Sequence, residues 1–245
     1  MKQTRIIMGM PITVEILGDG KKVGPAIEDV FAYFTSIDER FSTYKPMSEI
    51  SQVNAGLPRQ KWSREMALVM DLCDQTKQQT DGYFDIEHND SLDPSGLVKG
   101  WSINNAAQLV ARKGFDNFYI EAGGDIQTHG TNADGEPWTV GIRNPFDINQ
   151  IIKVLCVIDC GVATSGTYIR GQHIYNPHDH QEIHKIKSLT VIGPDIYEAD
   201  RFATAAFAMG EQGIAFIDAL PGFEGYSVGA DAIATYTKGF ERYVA

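Results

Sequence analysis

The segment from Glu198 to Gly210 contains a carboxylate and a hydroxyl at a spacing that could bind a metal ion. Asp200 and Thr204 are four residues apart, so both project from the same face if the segment is helical. Two hard oxygen ligands on one face suit Mg²⁺. Their neighbours are mostly Ala and Phe, among which an unpaired buried carboxylate would be costly. Taken alone, however, such a pair is more often a solvent-facing Asp and a Thr that bonds to its own helix.

A second candidate is the segment DPSGLVKG, residues 93–100, which leads into a predicted helix. Its small residues allow the backbone to approach a ligand closely, and Lys99 places a cation near a helix start. The spacing of a Walker-type phosphate loop is absent. Taken alone, Pro-Ser-Gly usually marks only a turn, and we predict a turn-rich connector here.

Two further segments combine glycine turns with polar side chains. In EAGGDI, residues 121–126, a ligand contact and a bare hairpin explain the acid after Gly-Gly equally well. Residues 161–168, GVATSGTY, precede His173, whose imidazole is flanked by a polar turn and an apolar strand. The remaining histidines of this region match no standard metal spacing and predict a solvated loop: His178, His180 and His184. GxSxG is absent, which disfavours a serine hydrolase.

Hydrophobic periodicity predicts the elements that position these residues. Helices are predicted over 24–40, 48–54, 63–80, 100–113, 195–209 and 213–220. Strands are predicted over 5–17 with an interruption near Gly9, and over 118–121, 126–128, 138–143, 154–159, 162–165, 188–192 and a closing pair in 225–236. Helices early and antiparallel strands late indicate an α+β fold, with mixed or antiparallel sheets and packed helices. We predict one domain over residues 1–245.

Composition restricts the partners. The chain has 245 residues, a formal charge of −11 and a pI of about 4.9, which disfavours nucleic acids and anionic membranes. No stretch approaches the roughly 18 apolar residues of a membrane span. No signal peptide or lipobox is visible, so we predict no membrane insertion and a cytoplasmic location. An acidic protein that binds an anionic substrate must neutralise it locally, and a metal ion is the usual means.

Taken together and in order, these segments resemble the ApbE family of flavin transferases. The resemblance extends from Met8 to Gly210. It is carried by MGMPITVEI, FSTYKPMSEISQVNA, DGYFDI, DPSGLVKGWSIN, EAGGDIQTHG, WTVGIRNP, VATSGTY, HIYNP and SLTVIGPDIYEADRFATAAFAMG. It implies an ApbE-like fold and a Mg²⁺-dependent transfer of FMN from FAD to a Thr or Ser of an acceptor flavoprotein, through a phosphoester, with release of AMP. The alternatives are hydrolysis of FAD to FMN and AMP on the same scaffold, and FAD binding without catalysis.

The resemblance also implies roles for individual residues. Those expected to bind FAD are Met8 and Tyr44 against the flavin, Tyr83, Phe84 and Asp85 along the nucleotide, and Asp93, Lys99 and His173. The expected Mg²⁺ ligands are the Gly96 carbonyl, Asp200 and Thr204. His173 and Asp200 are the expected catalytic residues, with His173 near the acceptor hydroxyl. The chain departs from the family pattern at Asn176, where an Asp is usual, and at Pro94, where an apolar residue is usual.

Overall fold

One large antiparallel sheet forms the centre of the molecule. The computed structural model describes residues 1–88, 90–167 and 174–245. In these ranges the strands are β1 (Lys2–Ile7), β2 (Met10–Ile16), β3 (Glu87–His88), β4 (Ser91–Leu92), β5 (Phe118–Ala122), β6 (Asp125–His129), β7 (Trp138–Asn144), β8 (Asp147–Val157), β9 (Gly161–Gly166), β10 (Ile186–Gly193), β11 (Glu224–Gly229) and β12 (Ala234–Tyr236). Eight of them are ordered β1-β2-β5-β6-β9-β10-β11-β12, with every neighbouring pair antiparallel. The sheet therefore brings distant segments of the chain side by side.

The helices of the described ranges are α1 (Gly20–Phe41), α2 (Glu49–Asn54), α3 (Arg64–Gln79), α4 (Ser95–Arg112), α5 (Ile196–Ala208) and α6 (Gly213–Asp218). Four of them, α1, α2, α3 and α5, begin where a capping side chain accepts a free backbone N–H. The α5 cap is Asp195, whose carboxylate accepts from the Glu198 N–H at 2.9 Å, as the capping-box spacing predicts. The Glu198 carboxylate does not complete the box in the other direction. It pairs instead with Arg201 at 2.6 Å.

Helices cover one face of the sheet. Apolar residues of β2, β5, β9 and β10 pack there against α1, α4 and α5 in the main core, for example Val14, Phe31, Ile103, Val191 and Phe207. Burial of these side chains supplies most of the driving force that fixes α4 and α5 against the sheet. A second apolar cluster extends this layer and joins α2 and α3 to the end of α1, to α4 and to Phe84.

The β7–β8 hairpin covers part of the opposite face. Trp138, Ile142 and Leu155 pack there with Val162 of β9 and Tyr226 of β11. Among the described residues, no helix is both long and apolar enough to cross a membrane.

The α+β class with antiparallel sheets is confirmed, and so is the interruption of the first strand near Gly9, whereas several element boundaries differ from the prediction. The interruption near Gly9 is a tight turn, in which Met8 and Gly9 have φ of 56° and 71°. β8 begins at Asp147 rather than at residue 154, because pairing with β7 extends the strand through a mostly exposed stretch. α4 begins at Ser95 rather than at Gly100, so the predicted connector is largely the first turns of a helix.

Candidate functional site

A cavity of about 380 Å³ opens between the start of α4, the end of β9 and the segment that follows α3. Its volume lies in the usual range for small-molecule sites. The wall is formed by Thr43, Tyr83, Phe84, Asp85, Ile86, His88, Ser91, Asp93, Ser95, Gly96, Lys99, Gly123, Thr164, Ser165, Gly166, Ile174, Tyr175, Pro177 and Thr204. Six of the predicted site residues therefore line this cavity: Tyr83, Phe84, Asp85, Asp93, Lys99 and Thr204. Gly96, predicted through its carbonyl, is there as well.

Two glycines of α4 allow α5 to approach closely behind this wall. A Cβ at Gly100 would lie 2.6 Å from the Asp200 Cβ and 2.7 Å from the Ile196 carbonyl oxygen. A Cβ at Gly96 would lie 3.8 Å from the Thr204 hydroxyl oxygen. Gly96 and Gly100 of α4 thus face Thr204 and Asp200 of α5, respectively. The two helices are therefore antiparallel at this contact. This contact confirms the shared face predicted for Asp200 and Thr204.

Asp200 is a buried carboxylate with charged and polar partners. Its side chain is about 2% exposed, and it accepts the Gly100 N–H at 2.8 Å. The Lys99 ammonium lies 3.2 Å from its other oxygen. Burial raises the pKa of Asp200 to about 7, and the nearby Asp125 acts in the same direction, while Lys99 and the Gly100 N–H oppose the rise. The plainer interpretation of a solvent-facing Asp is excluded.

Asp125 is a site residue that the sequence left undecided. It is 1% exposed at the start of β6, directly after the turn Gly123–Gly124, whose φ values are 61° and 100°. One carboxylate oxygen accepts the Thr164 N–H at 3.0 Å, and the other pairs with Lys99. The Gly-Gly-Asp string signalled a turn followed by an acid. It could not show that the acid meets a lysine on α4, since that depends on how the helix packs on the sheet.

The residues predicted to line the nucleotide have structural partners as well. Asp85 pairs with Lys77 at 2.7 Å and accepts the Glu87 N–H at 3.1 Å. Asp93 accepts the N–H of Ser95, the first residue of α4, at 3.0 Å. These bonds fix each carboxylate in place on the rim and the wall of the cavity.

Three predicted residues lie elsewhere or outside the described ranges. Met8 is half-buried and packs against both apolar clusters of the helical layer, and it is not one of the residues that form the cavity wall. Tyr44 is 94% exposed and does not line the cavity, although its neighbour Thr43 does. His173 lies outside the described residues.

The segment after His173 closes one side of the cavity. The Tyr175 hydroxyl donates to the Glu87 carbonyl at 3.2 Å, and the ring of His178 meets that of Tyr83 edge-on at 4.5 Å. Asn176 accepts the His178 N–H at 3.0 Å through its side-chain oxygen. An aspartate could accept the same bond, so this turn does not require the amide. The histidines of the predicted solvated loop are exposed, and His178 has in addition a packing role: His178, His180 and His184.

The sequence model of the ApbE family matches residues 8–91 and 87–226 of this chain. A Vibrio cholerae protein named FAD:protein FMN transferase is 32% identical over 131 residues, which is 49% of this chain and 39% of that protein. A Treponema pallidum protein of the same name is 30% identical over 152 residues, or 54% of this chain and 42% of that protein. The chain thus spans about two fifths of the length of the curated relatives it matches.

Solved structures share the fold over the whole chain. The ApbE protein of Thermotoga maritima superposes with a TM-score of 0.87 at 19% identity, covering 100% of this chain and 99% of its own. The flavin transferase ApbE of Vibrio cholerae gives 0.85 at 20% identity, covering 99% and 98%. At these identities the likeness supports the fold alone.

Proposed function

Because the chain belongs to the ApbE family, we propose that it is an FAD:protein FMN transferase, the activity for which its curated relatives are named. A hydroxyl oxygen of a Thr or Ser on an acceptor flavoprotein bonds to the FMN phosphorus of FAD. The bond from that phosphorus to the bridging oxygen breaks, AMP leaves, and the hydroxyl proton is released. The products are a phosphoester-linked FMN protein and AMP.

The observation that carries this proposal is the close contact of α4 and α5 at the cavity wall. Gly96 and Gly100 admit Asp200 and Thr204 to within van der Waals distance of the α4 backbone. A carboxylate, a hydroxyl and a backbone carbonyl can therefore serve one cation beside a ligand cavity. In an acidic chain, this is the location at which an anionic substrate must be neutralised.

The oxygen donors fit Mg²⁺. Asp200, Thr204 and the Gly96 carbonyl are hard ligands, and Mg²⁺ usually binds through one or two protein carboxylates together with substrate phosphates and water. Asp200 already attracts a cation, since the Lys99 ammonium lies 3.2 Å from it. A carbonyl oxygen has two lone pairs, so Gly96 can accept within α4 and still bind a metal. When bound, Mg²⁺ would neutralise the pyrophosphate and stabilise the charge of the departing AMP.

The remaining wall residues would bind FAD. Phe84 and Tyr83 offer apolar and aromatic surface, and Lys99 offers a cation to the phosphates. Asp93 and Asp85 are held at the rim by the bonds described above and would contact polar groups of the nucleotide. Met8 and Tyr44 would contact the flavin, and the exposure of Tyr44 leaves a ring face free for stacking.

His173 is proposed to accept the proton of the acceptor hydroxyl, directly or through water. Its neighbour Ile174, along with Tyr175 and Pro177, lines the cavity. Asn176 has no basic function of its own, and its side chain holds the turn that follows.

The test is a mass-spectrometric assay with FAD, Mg²⁺ and a purified flavin-carrier domain bearing a target Thr or Ser. We expect one FMN per acceptor and an equal amount of AMP, both abolished by a chelator and by Asp200→Asn. The matched control is Asp134→Asn, an exposed carboxylate in a loop outside the cavity wall, which should retain full transfer.

Other products would contradict the transferase. AMP and free FMN in equal amounts without a modified acceptor, for several carrier domains, would indicate FAD hydrolysis. Intact FAD that remains bound in the presence of Mg²⁺ would indicate a binding protein. His173→Ala tests the proton acceptor separately, because full transfer by that variant would remove the role given to His173.

A further inference from the structure

Lys99 is shared by two buried carboxylates, and this arrangement assigns a function to Asp125. We propose that Asp125 is a positioning residue, which holds the Lys99 ammonium at the cavity wall when a divalent cation takes its place on Asp200. The inference rests on the proposed function and concerns the binding of the metal on which that function depends. Asp125 itself touches neither the metal nor FAD in this scheme, and it acts through Lys99.

The geometry places one cation between two acids. The side chains of Asp125 and Asp200 are 1% and 2% exposed. Lys99 pairs with both of them, at 3.2 Å in the case of Asp200. Lys99 itself lines the cavity, and its side chain is only 18% exposed. The three side chains come from α4, β6 and α5, so their relative positions are fixed by the packing of two helices on the sheet.

The charges of this group explain why a second carboxylate is needed. When both carboxylates are ionised and no metal is bound, two carboxylates and one ammonium leave a net charge of one negative. A metal ion that binds Asp200 competes with the ammonium for the same carboxylate. If Asp200 were the only partner of Lys99, displacement of the ammonium by the metal ion would leave the lysine charge unpaired in a poorly hydrated part of the cavity wall. An unpaired charge there is costly. With Asp125 present, the ammonium retains one buried partner and the exchange on Asp200 becomes easier.

The same arrangement keeps Lys99 in a useful position after the exchange. Asp125 is itself immobilised, because it accepts the Thr164 N–H of the neighbouring strand. An ammonium held by Asp125 stays beside the cavity, where it can donate to an anionic substrate. Asp125→Asn preserves the acceptor for Thr164 and removes only the charge that faces Lys99. This substitution therefore separates the positioning role from the structural bond.

The experiment is a titration of the FAD-free protein with Mn²⁺, in which free ion is followed by electron paramagnetic resonance. Asp125→Asn should weaken Mn²⁺ binding by about tenfold, a usual size for coupling between two sites. Lys99→Met should tighten binding, because the competing ammonium is gone. In the Lys99→Met background, Asp125→Asn should change the Mn²⁺ affinity by less than about threefold. Asp134→Asn is the control, and thermal unfolding midpoints verify that each variant is folded.

The double variant distinguishes the proposed role from simple attraction between Asp125 and the metal. If Asp125→Asn weakens binding equally with and without Lys99, Asp125 acts on the metal directly and the inference is wrong. It is also wrong if Asp125→Asn leaves the affinity of the wild-type background unchanged. Lys99→Gln replaces Lys99→Met if the latter does not fold. Failure of the proposed function gives a different pattern: the wild type then binds no Mn²⁺, or Asp200→Asn binds it equally well.

Discussion

Asp200 is held in an environment that opposes its own ionisation. Burial raises its pKa to about 7, with Asp125 acting in the same direction and Lys99 and the Gly100 N–H against it. An unfolded carboxyl titrates near about 4, so between these values the folded protein retains a proton that the unfolded chain has released. The contribution of this group to stability therefore falls as the pH rises through that window. If the protonated Asp200 carboxyl binds a metal ion, it must release its proton.

The first prediction concerns Asp200→Asn without metal. The Asn oxygen can still accept the Gly100 N–H, while the cost of ionising the side chain disappears. From about pH 5 to about pH 8, the free energy of unfolding of the variant should rise relative to the wild type, by on the order of 2 kcal/mol. Urea denaturation across this range measures the difference. Parallel stability curves for the two proteins would contradict the raised pKa.

The second prediction isolates the hydroxyl of Thr204. Thr204→Val preserves the shape of the side chain and its contact with Gly96, but removes a hard oxygen ligand. The affinity for Mg²⁺ should fall by about tenfold, while the unfolding free energy without metal changes by less than about 1 kcal/mol. Calorimetric titration with Mg²⁺ gives the first quantity and urea denaturation the second. Thr139→Val, on the exposed face of β7, serves as the matched control. A Thr204 variant with wild-type Mg²⁺ affinity would exclude Thr204 as a ligand.

At the scale of elements, the contact between α4 and α5 determines the geometry of the site. Gly100 has no room for a side chain, because a Cβ would meet the Asp200 Cβ at 2.6 Å and the Ile196 carbonyl oxygen at 2.7 Å. Both neighbours belong to α5, and one of them is backbone. Relief of such a clash requires the helices to separate, which would also move Asp200 relative to Gly96.

The third prediction therefore compares two glycine substitutions within helices. Gly100→Ala should lower the unfolding free energy by about 2 kcal/mol and abolish Mg²⁺ binding. Gly20→Ala at the first position of α1, where nothing lies within 4 Å of the added Cβ, should raise it by about 0.5 kcal/mol. Chemical denaturation and Mg²⁺ titration check both variants. A Gly100→Ala protein with normal stability and metal binding would contradict the close approach of the helices.

The elements also show which parts of the fold can be predicted from sequence. The shared face of Asp200 and Thr204 follows from helical spacing, and the structure confirms it. The start of α4 was predicted at Gly100 because Pro-Ser-Gly is typical of turns. In the structure, Pro94 directly precedes the helix and the Asp93 side chain accepts the N–H of Ser95, so the segment is a helix start rather than a connector. The pairing of Asp125 with Lys99 could not be predicted, because it depends on the position of β6 in the sheet.

At the scale of the whole molecule, the cavity wall presents the Lys99 ammonium within an acidic protein. The chain has 32 acidic and 21 basic residues and a formal charge of −11. Its long-range field therefore repels FAD, and attraction begins only near Lys99 and a bound metal. Salt screens the long-range part first, since the Debye length is about 10 Å at 0.1 M.

The fourth prediction follows from this field. At constant saturating Mg²⁺, the association rate constant of FAD should rise about twofold to threefold as NaCl increases from about 20 mM to about 200 mM. Stopped-flow measurement of flavin fluorescence gives the rate. Neutral riboflavin is the control ligand, and its association should show little dependence on salt. A rate that falls with salt would mean that the local cations dominate the approach of FAD.

The hydrogen bond from Gly100 to Asp200 joins residues that are one hundred positions apart. During synthesis, Gly96 and Gly100 of the proposed metal site emerge long before α5 has left the ribosome, and the Gly100 N–H then has no carboxylate to bind. Closing so long a loop has an entropic cost that is recovered only when α5 packs on α4 and the sheet. The proposed site therefore forms late in folding, and metal binding there would report that the chain has been synthesised at least through α5.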